Sequence, residues 1–369
     1  MTSLSQRAGP LAGVKVVELA SYVSGPFATM MMADLGADVI KIEPPQGDPF
    51  RRFGRAGTPV SPMFVNSNRG KEGMVLDLKV PSSKLAFDEV VKDADILLSN
   101  WRPAVAERLG LSDESIAAVN PRLIRVYVSG FGTSGPSAGA PVYDAIIQAH
   151  VGSAEMTPPT IVPAYVVDKL TASMACQAAL AALFERERSG KGDRIDLALL
   201  DAAAYVNFVD VMANRTFVDS APVESGNKQA AAIRGVQTAD GWLIVTPVSS
   251  DQIRRACDAI GRPELADELL GMKDATELTT RLYDELEAAT REHSTDHWVE
   301  TFRAHDVPAG PCLTIEQHFQ DRQVVHNRIY SIEEWEDVGR VRQVRYPARF
   351  ARHGDLRPTK GPPVRRRAE

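Results

Sequence analysis

The chain has 369 residues, of which 44% are hydrophobic and 24% are charged, and its formal net charge is −6. This composition is typical of a soluble globular protein and excludes a disordered, collagen-like or disulfide-stapled chain. The negative charge argues against a general nucleic-acid binder, because phosphate backbones require a positive field. The three cysteines, Cys176, Cys257 and Cys312, form no paired motif, which predicts a reducing compartment without disulfides or a zinc site.

Targeting signals also bear on where the protein works. The first ten residues lack the apolar stretch of a signal peptide. No apolar run reaches the roughly 18 residues of a membrane span. We therefore expect a cytoplasmic protein with no membrane partner, and the length of the chain favours an enzyme of two domains.

Strand and helix patterns alternate through the first part of the chain. Apolar runs predict strands, and capped or amphipathic segments between them predict helices. The predicted strands are 14–19, 38–43, 95–99 and 122–129, and the predicted helices are 27–35, 81–91 and 113–119. Repeated β-α-β units predict an α/β fold in which helices cover both faces of a parallel sheet.

The alternation of predicted strands and helices ends in the later part of the chain. Residues 143–182 are predicted to be mostly helical, and a strand is expected at 194–199. A polar stretch over 221–237 then separates this part from a smaller unit. In that unit we expect strands at 242–247 and 307–313 and helices at 250–260, 276–291 and 296–304. The basic tail Gly361–Glu369 is predicted to be solvated.

Three short motifs invite a cofactor or metal interpretation, but each has a simpler structural explanation. Gly130–Gly135 matches G-x-G-x-x-G, yet Pro136 follows it, where a dinucleotide site requires a helix N-terminus. Ser189–Gly192 has the wrong spacing for a phosphate loop and is typical of a helix C-terminus. His293 and His297 are four residues apart, but no glutamate follows His293 as in zinc proteases. We therefore predict neither NAD nor a metal.

Asp168 is the most unusual carboxylate in the sequence. It stands between the apolar residues 164–167 and an apolar helical segment. A carboxylate at such a place is often only a helix N-cap. It could equally act as a nucleophile if a cleft opens beside it, and the helix dipole would stabilise its anion. The residues alone leave both interpretations open.

Several longer motifs in a fixed order make the chain resemble the family III CoA-transferases, also called the CaiB/BaiF family. This group includes formyl-CoA:oxalate CoA-transferase and the α-methylacyl-CoA racemases. The motifs are PLAGVKVVEL (10–19), SGP (24–26), ADLGADVIKIEP (33–44), NSNRGK (66–71), LDLK (76–79), NWRP (100–103), ERLG (107–110), NPRL (120–123), SGFG (129–132), YD (143–144), ERERSGKG (185–192) and ADGW (239–242). The resemblance is dense over residues 10–205 and thinner over the smaller unit.

The resemblance implies a fold and an assembly. The fold is a doubly wound, parallel-sheet large domain of Rossmann type with a smaller α+β domain. Two chains are expected to interlock as a homodimer. We place the first part of the large domain at 1–220, the small domain at 221–325 and a returning C-terminal segment at 326–369.

The resemblance also implies site residues and substrates. Asp168 falls at the position of the catalytic aspartate, which attacks the acyl-CoA thioester and forms an aspartyl anhydride and then an aspartyl-CoA thioester. Coenzyme A and acyl-CoA are thus expected as substrates, together with carboxylic acids and without a metal. The residues expected by motif position to bind CoA are Ser24, Leu76, Lys79, Asn100, Trp101, Arg102, Arg108 and Tyr143.

Position 143 separates the two activities of the family. The racemases have a histidine there, which works with the aspartate as an acid–base pair on the α-carbon. The phenol of Tyr143, with an ordinary pKa of about 10, is a poor partner for that reaction at neutral pH. We therefore expect transfer of CoA from an acyl-CoA donor to a carboxylic acid. The alternatives are a 2-methylacyl-CoA racemase and a CoA-thioester-binding homologue without turnover.

Three departures from the family pattern concern the acyl pocket. The segment 152–168 is shorter than usual and lacks the Thr-Gly and Gly-Pro-Pro elements. Val23 replaces a glutamine that many transferases have before Ser-Gly-Pro. The glycine-rich loop that closes over the intermediate is not visible around Gly226–Gly235. These departures predict an unusual acyl pocket and lid, or altered activity.

Overall fold

A computed structural model describes residues 9–54, 57, 60–153, 159–212, 215–219, 232–335, 338–356 and the backbone of 365–367. The chain forms two compact units. The large unit comprises residues 1–207 and 328–369, and the small unit comprises residues 208–327. The boundaries expected from the sequence were 220 and 325, and the first of these lies in a stretch outside the described residues.

The large unit is built on a parallel sheet. Six of its strands are β1 (Lys15–Leu19), β2 (Asp38–Glu43), β3 (Lys71–Val75), β4 (Ile96–Ser99), β5 (Ile124–Ser129) and β6 (Arg194–Ala198). They lie in the order β3-β2-β1-β4-β5-β6, and every neighbouring pair is parallel. This order is that of a doubly wound sheet, so the predicted α/β class is confirmed.

Helices connect these strands. They are α1 (Ser24–Asp34), α2 (Pro62–Asn68), α3 (Pro81–Lys92), α4 (Pro103–Arg108), α5 (Asp113–Val119), α6 (Asp144–His150), α7 (Val166–Ser189) and α8 (Leu199–Asn207), with a 3₁₀ turn at Pro49–Arg51. The four strands predicted before residue 130 are correct to within two residues. The sequence patterns missed β3, α2 and α4.

Side-chain alternation along β1 shows how the sheet receives helices on both faces. Val17 and Leu19 point to one face and pack in a cluster with Phe87 of α3. Glu18 points to the other face, where its carboxylate accepts a hydrogen bond from Thr29 of α1 at 2.6 Å. α1 in turn packs along α7. Both faces are thereby buried, as a parallel sheet requires.

A buried ionic network joins the first three strands to α1. We call Glu18, Lys41, Asp48 and Lys71 the ionic network. The Glu18 carboxylate contacts Lys41 Nζ at 2.6 Å and Lys71 Nζ at 2.7 Å, and all three side chains are 0% exposed. Lys41 also contacts Asp48 at 2.9 Å. Burial raises the pKa of Glu18, but the two ammonium groups outweigh it and hold that pKa below its ordinary value.

The remaining strands follow the small unit. β10 (Tyr330–Trp335) pairs antiparallel with β11 (Gly339–Val344), and β12 (Arg349–Phe350) pairs with β13 (Gly354–Asp355). β14 (Arg365–Arg367) pairs parallel with β3 and becomes the seventh strand of the central sheet. This pairing was not predicted from the sequence. A basic composition carries no information about backbone pairing at a free sheet edge.

The small unit has its own sheet and core. Its strands are β7 (Val236–Gln237), β8 (Trp242–Val245) and β9 (Ala309–Pro311), paired antiparallel. Its helices are α9 (Ser250–Ala259), α10 (Leu265–Leu270), α11 (Ala275–Thr290), α12 (Thr295–Ala304), α13 (Ile315–Gln320) and α14 (Arg322–His326). The core packs around Leu282, Leu286, Trp298 and Phe302. His297 lies in the first turn of α12 and His293 precedes that helix, and their ring centroids are 4.3 Å apart.

α7 is apolar for its length. Within the described ranges it is the one helix long and apolar enough to cross a membrane, and 39% of its most apolar window is buried. A single such helix is weak evidence for a membrane span, because core helices pass the same test.

The loop after β5 explains the glycine motif at 130–135. No helix begins between Ser129 and Asp144, so this stretch lacks the helix N-terminus of a dinucleotide site. Gly130 is required for a different reason. A Cβ atom at this position would lie 1.9 Å from Val142 Cγ1.

Gly130→Ala is expected to lower the free energy of unfolding by about 1–3 kcal/mol, because the added methyl group displaces Val142. Gly139→Ala is the matched control in the same loop, since a Cβ there meets no atom within 4 Å. Urea denaturation followed by circular dichroism measures both variants. Equal effects of the two substitutions would contradict this account of the motif.

Candidate active site

The candidate site lies at the carboxyl ends of the parallel strands. A cavity of about 350 Å³ opens there. The strand order reverses between β1 and β4, and ligands of doubly wound domains bind at such a switch point. The cavity is lined by Ser21, Tyr22, Ser24, Asn100, Trp101, Arg102, Pro103, Val105, Val128, Ser129, Gly130, Ala138, Ala140, Pro141, Val142, Tyr143, Asp168 and Leu199.

The turn from β1 into α1 forms one wall of this cavity. Asn100, at the end of β4, accepts a hydrogen bond from Ser21 N at 3.0 Å and donates one to Ser21 O at 2.8 Å. Gly25 allows α1 to start close to β1, because a Cβ there would lie 2.3 Å from Ala20 Cβ. This packing leaves Ser24 as the first residue of α1, with its side chain at the cavity.

Asp168 lies in the first turn of the 24-residue helix α7. Its backbone N–H donates to Asp144 Oδ2 at 2.9 Å. Asp144 itself is buried, and its Oδ1 atom also accepts a hydrogen bond from Gln148 at 2.5 Å. The Asp144 carboxylate thus satisfies one of the N–H groups that a helix start leaves without an intrahelical acceptor. It fixes the turn that presents Asp168 to the cavity.

The environment of Asp168 shifts its titration toward neutrality. Burial raises its pKa most, the Asp144 carboxylate raises it further, and a hydrogen bond with the Ser24 side chain lowers it, for a resulting pKa of about 6. Near pH 7 the group is therefore mostly an anion that is poorly solvated. A poorly solvated carboxylate beside a cleft is suited to nucleophilic attack. A residue that only caps a helix needs neither the cleft nor the raised pKa.

The structure gathers most of the residues predicted to contact CoA. Ser24, Asn100, Trp101, Arg102 and Tyr143 line the same cavity as Asp168. Arg102 also lines a neighbouring cavity of about 350 Å³, where Arg108 is a wall residue. The two cavities share Arg102, Pro103, Val105 and Ala138. They provide adjoining space for an extended ligand with guanidinium groups beside it.

Leu76 and Lys79 lie apart from both cavities. They follow β3 at the same edge of the sheet, two strands away from β1. The Leu76 side chain is buried in the core, so a ligand could meet only its backbone. Lys79 is exposed. The placement of these two as CoA contacts stays a prediction.

Several family features can be located, and others fall outside the described residues. The described lining of the two cavities contains no histidine, and the ring of His150 instead packs against Phe131. No group of three or more metal-ligating side chains occurs in the part of the chain that the structure describes. Residues 154–158 of the shortened segment and 220–231 of the expected glycine-rich loop lie outside that part.

Two residues of the site were not singled out from the sequence. Tyr22 lines the cavity next to Ser24, and Asp144 holds the start of α7. Asp144 belongs to a family motif, but its contact with Asp168 N spans 24 residues and follows only from the packing of α6 against α7. No local pattern indicates Tyr22.

Fold and site together define a doubly wound α/β enzyme with a partly buried carboxylate at its switch point. Residues 11–365 match CoA-transferase family III. The chain is 35% identical over 328 residues to the acetyl-CoA:oxalate CoA-transferase of Acetobacter aceti, covering 86% of this chain and 84% of the relative. It is 32% identical over 364 residues to the succinate–glutarate CoA-transferase of Agrobacterium fabrum, covering 94% and 91%.

The fold comparison agrees. The crystal structure of a CAIB/BAIF family protein from Brucella suis matches with a TM-score of 0.82 and 29% identity, covering 96% of each chain. The chain therefore belongs to CoA-transferase family III, and the predicted family is confirmed. It is a CoA-transferase, as the sequence motifs predicted.

Proposed function

We propose that this enzyme moves CoA from an acyl-CoA donor to a carboxylic acid, with Asp168 as the covalent nucleophile. One observation carries the proposal. Among the described lining residues Asp168 is the one carboxylate, with a pKa of about 6 and its backbone fixed by Asp144.

The proposed reaction has four balanced steps. The Asp168 carboxylate attacks the thioester carbonyl and expels the CoA thiolate, which leaves an acyl-aspartyl anhydride. The thiolate then attacks the aspartyl carbonyl and releases the donor acid, which leaves an aspartyl-CoA thioester. The acceptor carboxylate attacks this thioester, expels the thiolate and forms a second anhydride. The thiolate finally attacks the acceptor's acyl carbonyl, so the new acyl-CoA leaves and Asp168 is free again.

Two features of the site support this chemistry. Ser24 at the start of α1 and Asp168 in the first turn of α7 line the same cavity, and helix starts stabilise negative charge such as that of a tetrahedral oxyanion. Arg102 and Arg108 stand beside the adjoining cavities, where they can pair with the CoA phosphates. No step needs a metal or a redox group.

The interlocked homodimer and the cytoplasmic location belong to the same proposal. Exposed aromatic side chains support an assembly, since Phe184 of α7 is 68% exposed and Tyr205 of α8 is 76% exposed. Sedimentation analysis is expected to give twice the mass of the chain, and a monomer at micromolar concentration would contradict the dimer.

Transfer activity is expected to rise with pH through about 6, because Asp168 must lose its proton to attack. Asp144→Asn should lower this inflection, since it removes the like charge but keeps an oxygen that accepts from Asp168 N. The pH profile of kcat/KM for both proteins measures the effect. An inflection that the substitution leaves unchanged would show that another group titrates.

A screen of acyl-CoA donors against carboxylate acceptors, read by mass spectrometry, tests the proposed reaction class. Exchange of CoA between acids is the expected result. If deuterium from heavy water instead enters the α-carbon of a 2-methylacyl-CoA without an acceptor acid, the racemase alternative is correct. If thioesters bind without either reaction, the chain is a homologue without turnover.

A further inference from the structure

Tyr22 has a strained backbone at the edge of the candidate site. Its φ angle is +66°, a left-handed conformation that few residues other than glycine adopt. Its N–H donates to Asp48 Oδ1 at 3.4 Å, and Asp48 is anchored by the buried Lys41 ammonium at 2.9 Å. The ionic network therefore holds this strain in place. Backbone strain kept at a cavity wall points to a function for the residue that bears it.

Tyr22 belongs to a group of rings beside Asp168, which we call the aromatic wall: Tyr22, Phe50, Tyr143 and Tyr165. The Tyr22 ring meets Tyr143 edge-on at 5.7 Å and Phe50 at 6.1 Å, and Phe50 meets Tyr165 at 6.4 Å. Phe50 is buried behind the others. Tyr165 lies three residues before Asp168, at the start of α7. The wall thus extends from the cavity lining to the start of the helix that carries Asp168.

Apart from Arg102, the described basic groups near the wall are engaged by other groups or lie outside the cavity lining. Arg51 makes two hydrogen bonds to the Glu43 carboxylate, at 2.6 and 2.7 Å. Arg52 donates to a backbone carbonyl at 2.7 Å. Lys169 is exposed and is not a lining residue. Among the described lining residues Arg102 is the one basic side chain, and it also faces the neighbouring cavity.

The positions of these basic side chains indicate which class of carboxylic acid the cavity can bind. The distal carboxylate of a dicarboxylic acid needs a cation or several donors when it leaves water. An apolar side chain gains from contact with aromatic rings, and flat groups gain most. Among the described residues, the wall itself offers rings and phenols to the acyl group and contains no basic side chain.

We propose that the aromatic wall is the acyl subsite and takes monocarboxylic acids with a flat apolar side chain, such as aryl acids, selected by contact with Tyr22. The proposal rests on the proposed function for its reaction and adds the substrate class. The Tyr22 ring packs against the acyl side chain.

The protonation of Tyr22 suits this role. A hydrogen bond with Tyr143, together with partial burial, raises the pKa of Tyr22 above its ordinary value. The phenol consequently keeps its proton at neutral pH and presents an uncharged ring to the acyl group.

The test compares benzoyl-CoA and phenylacetyl-CoA with succinyl-CoA as donors, each with its own isotope-labelled acid as acceptor. We expect kcat/KM to be at least about tenfold higher for the aryl thioesters. Tyr22→Ala should remove most of this preference, and Tyr22→Phe, which keeps the ring, should retain it. Tyr330→Ala, at a half-buried tyrosine of β10 that lies outside the wall and lines neither cavity, is the matched control. A preference for succinyl-CoA, or an aryl preference that survives Tyr22→Ala, overturns the proposal.

A binding measurement separates this proposal from the proposed function. If no donor exchanges CoA, the proposed function fails, and the wall is then tested by titration calorimetry with benzoyl-CoA and succinyl-CoA. Tighter binding of benzoyl-CoA that weakens in Tyr22→Ala supports the subsite by itself. Equal binding of the two thioesters overturns it.

Discussion

Asp168→Asn is expected to lower the rate of CoA transfer by about 10³-fold or more, with little change in the affinity for acyl-CoA. The substitution keeps the size of the side chain and its place at the start of α7. It removes the negative oxygen that attacks the thioester, so no anhydride can form. Steady-state assays of CoA exchange give the rate, and calorimetry with CoA gives the affinity.

The control for this prediction is Asp201→Asn. Asp201 also lies in the first turn of a helix, α8, but it is exposed and lines neither cavity. We expect nearly unchanged transfer in that variant. Full activity in Asp168→Asn would mean that the reaction has no aspartyl intermediate at this position.

Glu18→Gln is expected to lower the free energy of unfolding by about 3–5 kcal/mol, the range found when one partner of a buried ion pair is removed. Lys41 then keeps its contact with Asp48, but Lys71 loses the carboxylate charge that it contacts, in a region from which water is excluded. The loss also affects the site, because Lys41 and Lys71 donate to the carbonyl oxygens of Ala20 and Pro26 at 2.7 Å. These atoms belong to the turn that carries Ser24.

Glu185→Gln is the matched control for the ionic network. It makes the same change in the same unit, in a pair with Arg188 whose side chains are 56% and 65% exposed. Exposed pairs contribute about 1 kcal/mol or less, so a small effect is expected. Urea denaturation of the three proteins measures the difference. Similar midpoints for the two variants would show that burial does not strengthen the network's contribution.

The parallel sheet could be predicted because its signals are local. Strands such as β2 and β4 are short apolar runs bounded by turns, and their burial on both faces produces that pattern. β3 was not predicted because its first two residues, Lys71 and Glu72, are charged. Lys71 is nonetheless buried, since its charge is balanced by Glu18 across the sheet. A residue pattern cannot show a balancing charge that lies 53 positions away.

The candidate site, like the sheet, could be predicted from the sequence only in part. Asp168 was open to two interpretations from its neighbours alone, and family motifs decided between them. The contact of its backbone with Asp144, the strain at Tyr22 and the pKa near 6 depend on residues brought together by α1, α6 and α7. Such properties arise from packing between distant segments, so no window along the chain contains them.

The central claim, covalent catalysis by Asp168, is tested most directly by trapping the intermediate. The enzyme is incubated with an accepted acyl-CoA, treated with hydroxylamine, digested and analysed by peptide mass spectrometry. An aspartyl hydroxamate at Asp168, absent without acyl-CoA and absent in Asp168→Asn, is the predicted result. Continued CoA exchange with no hydroxamate at Asp168, or with one at another carboxylate, would contradict the claim.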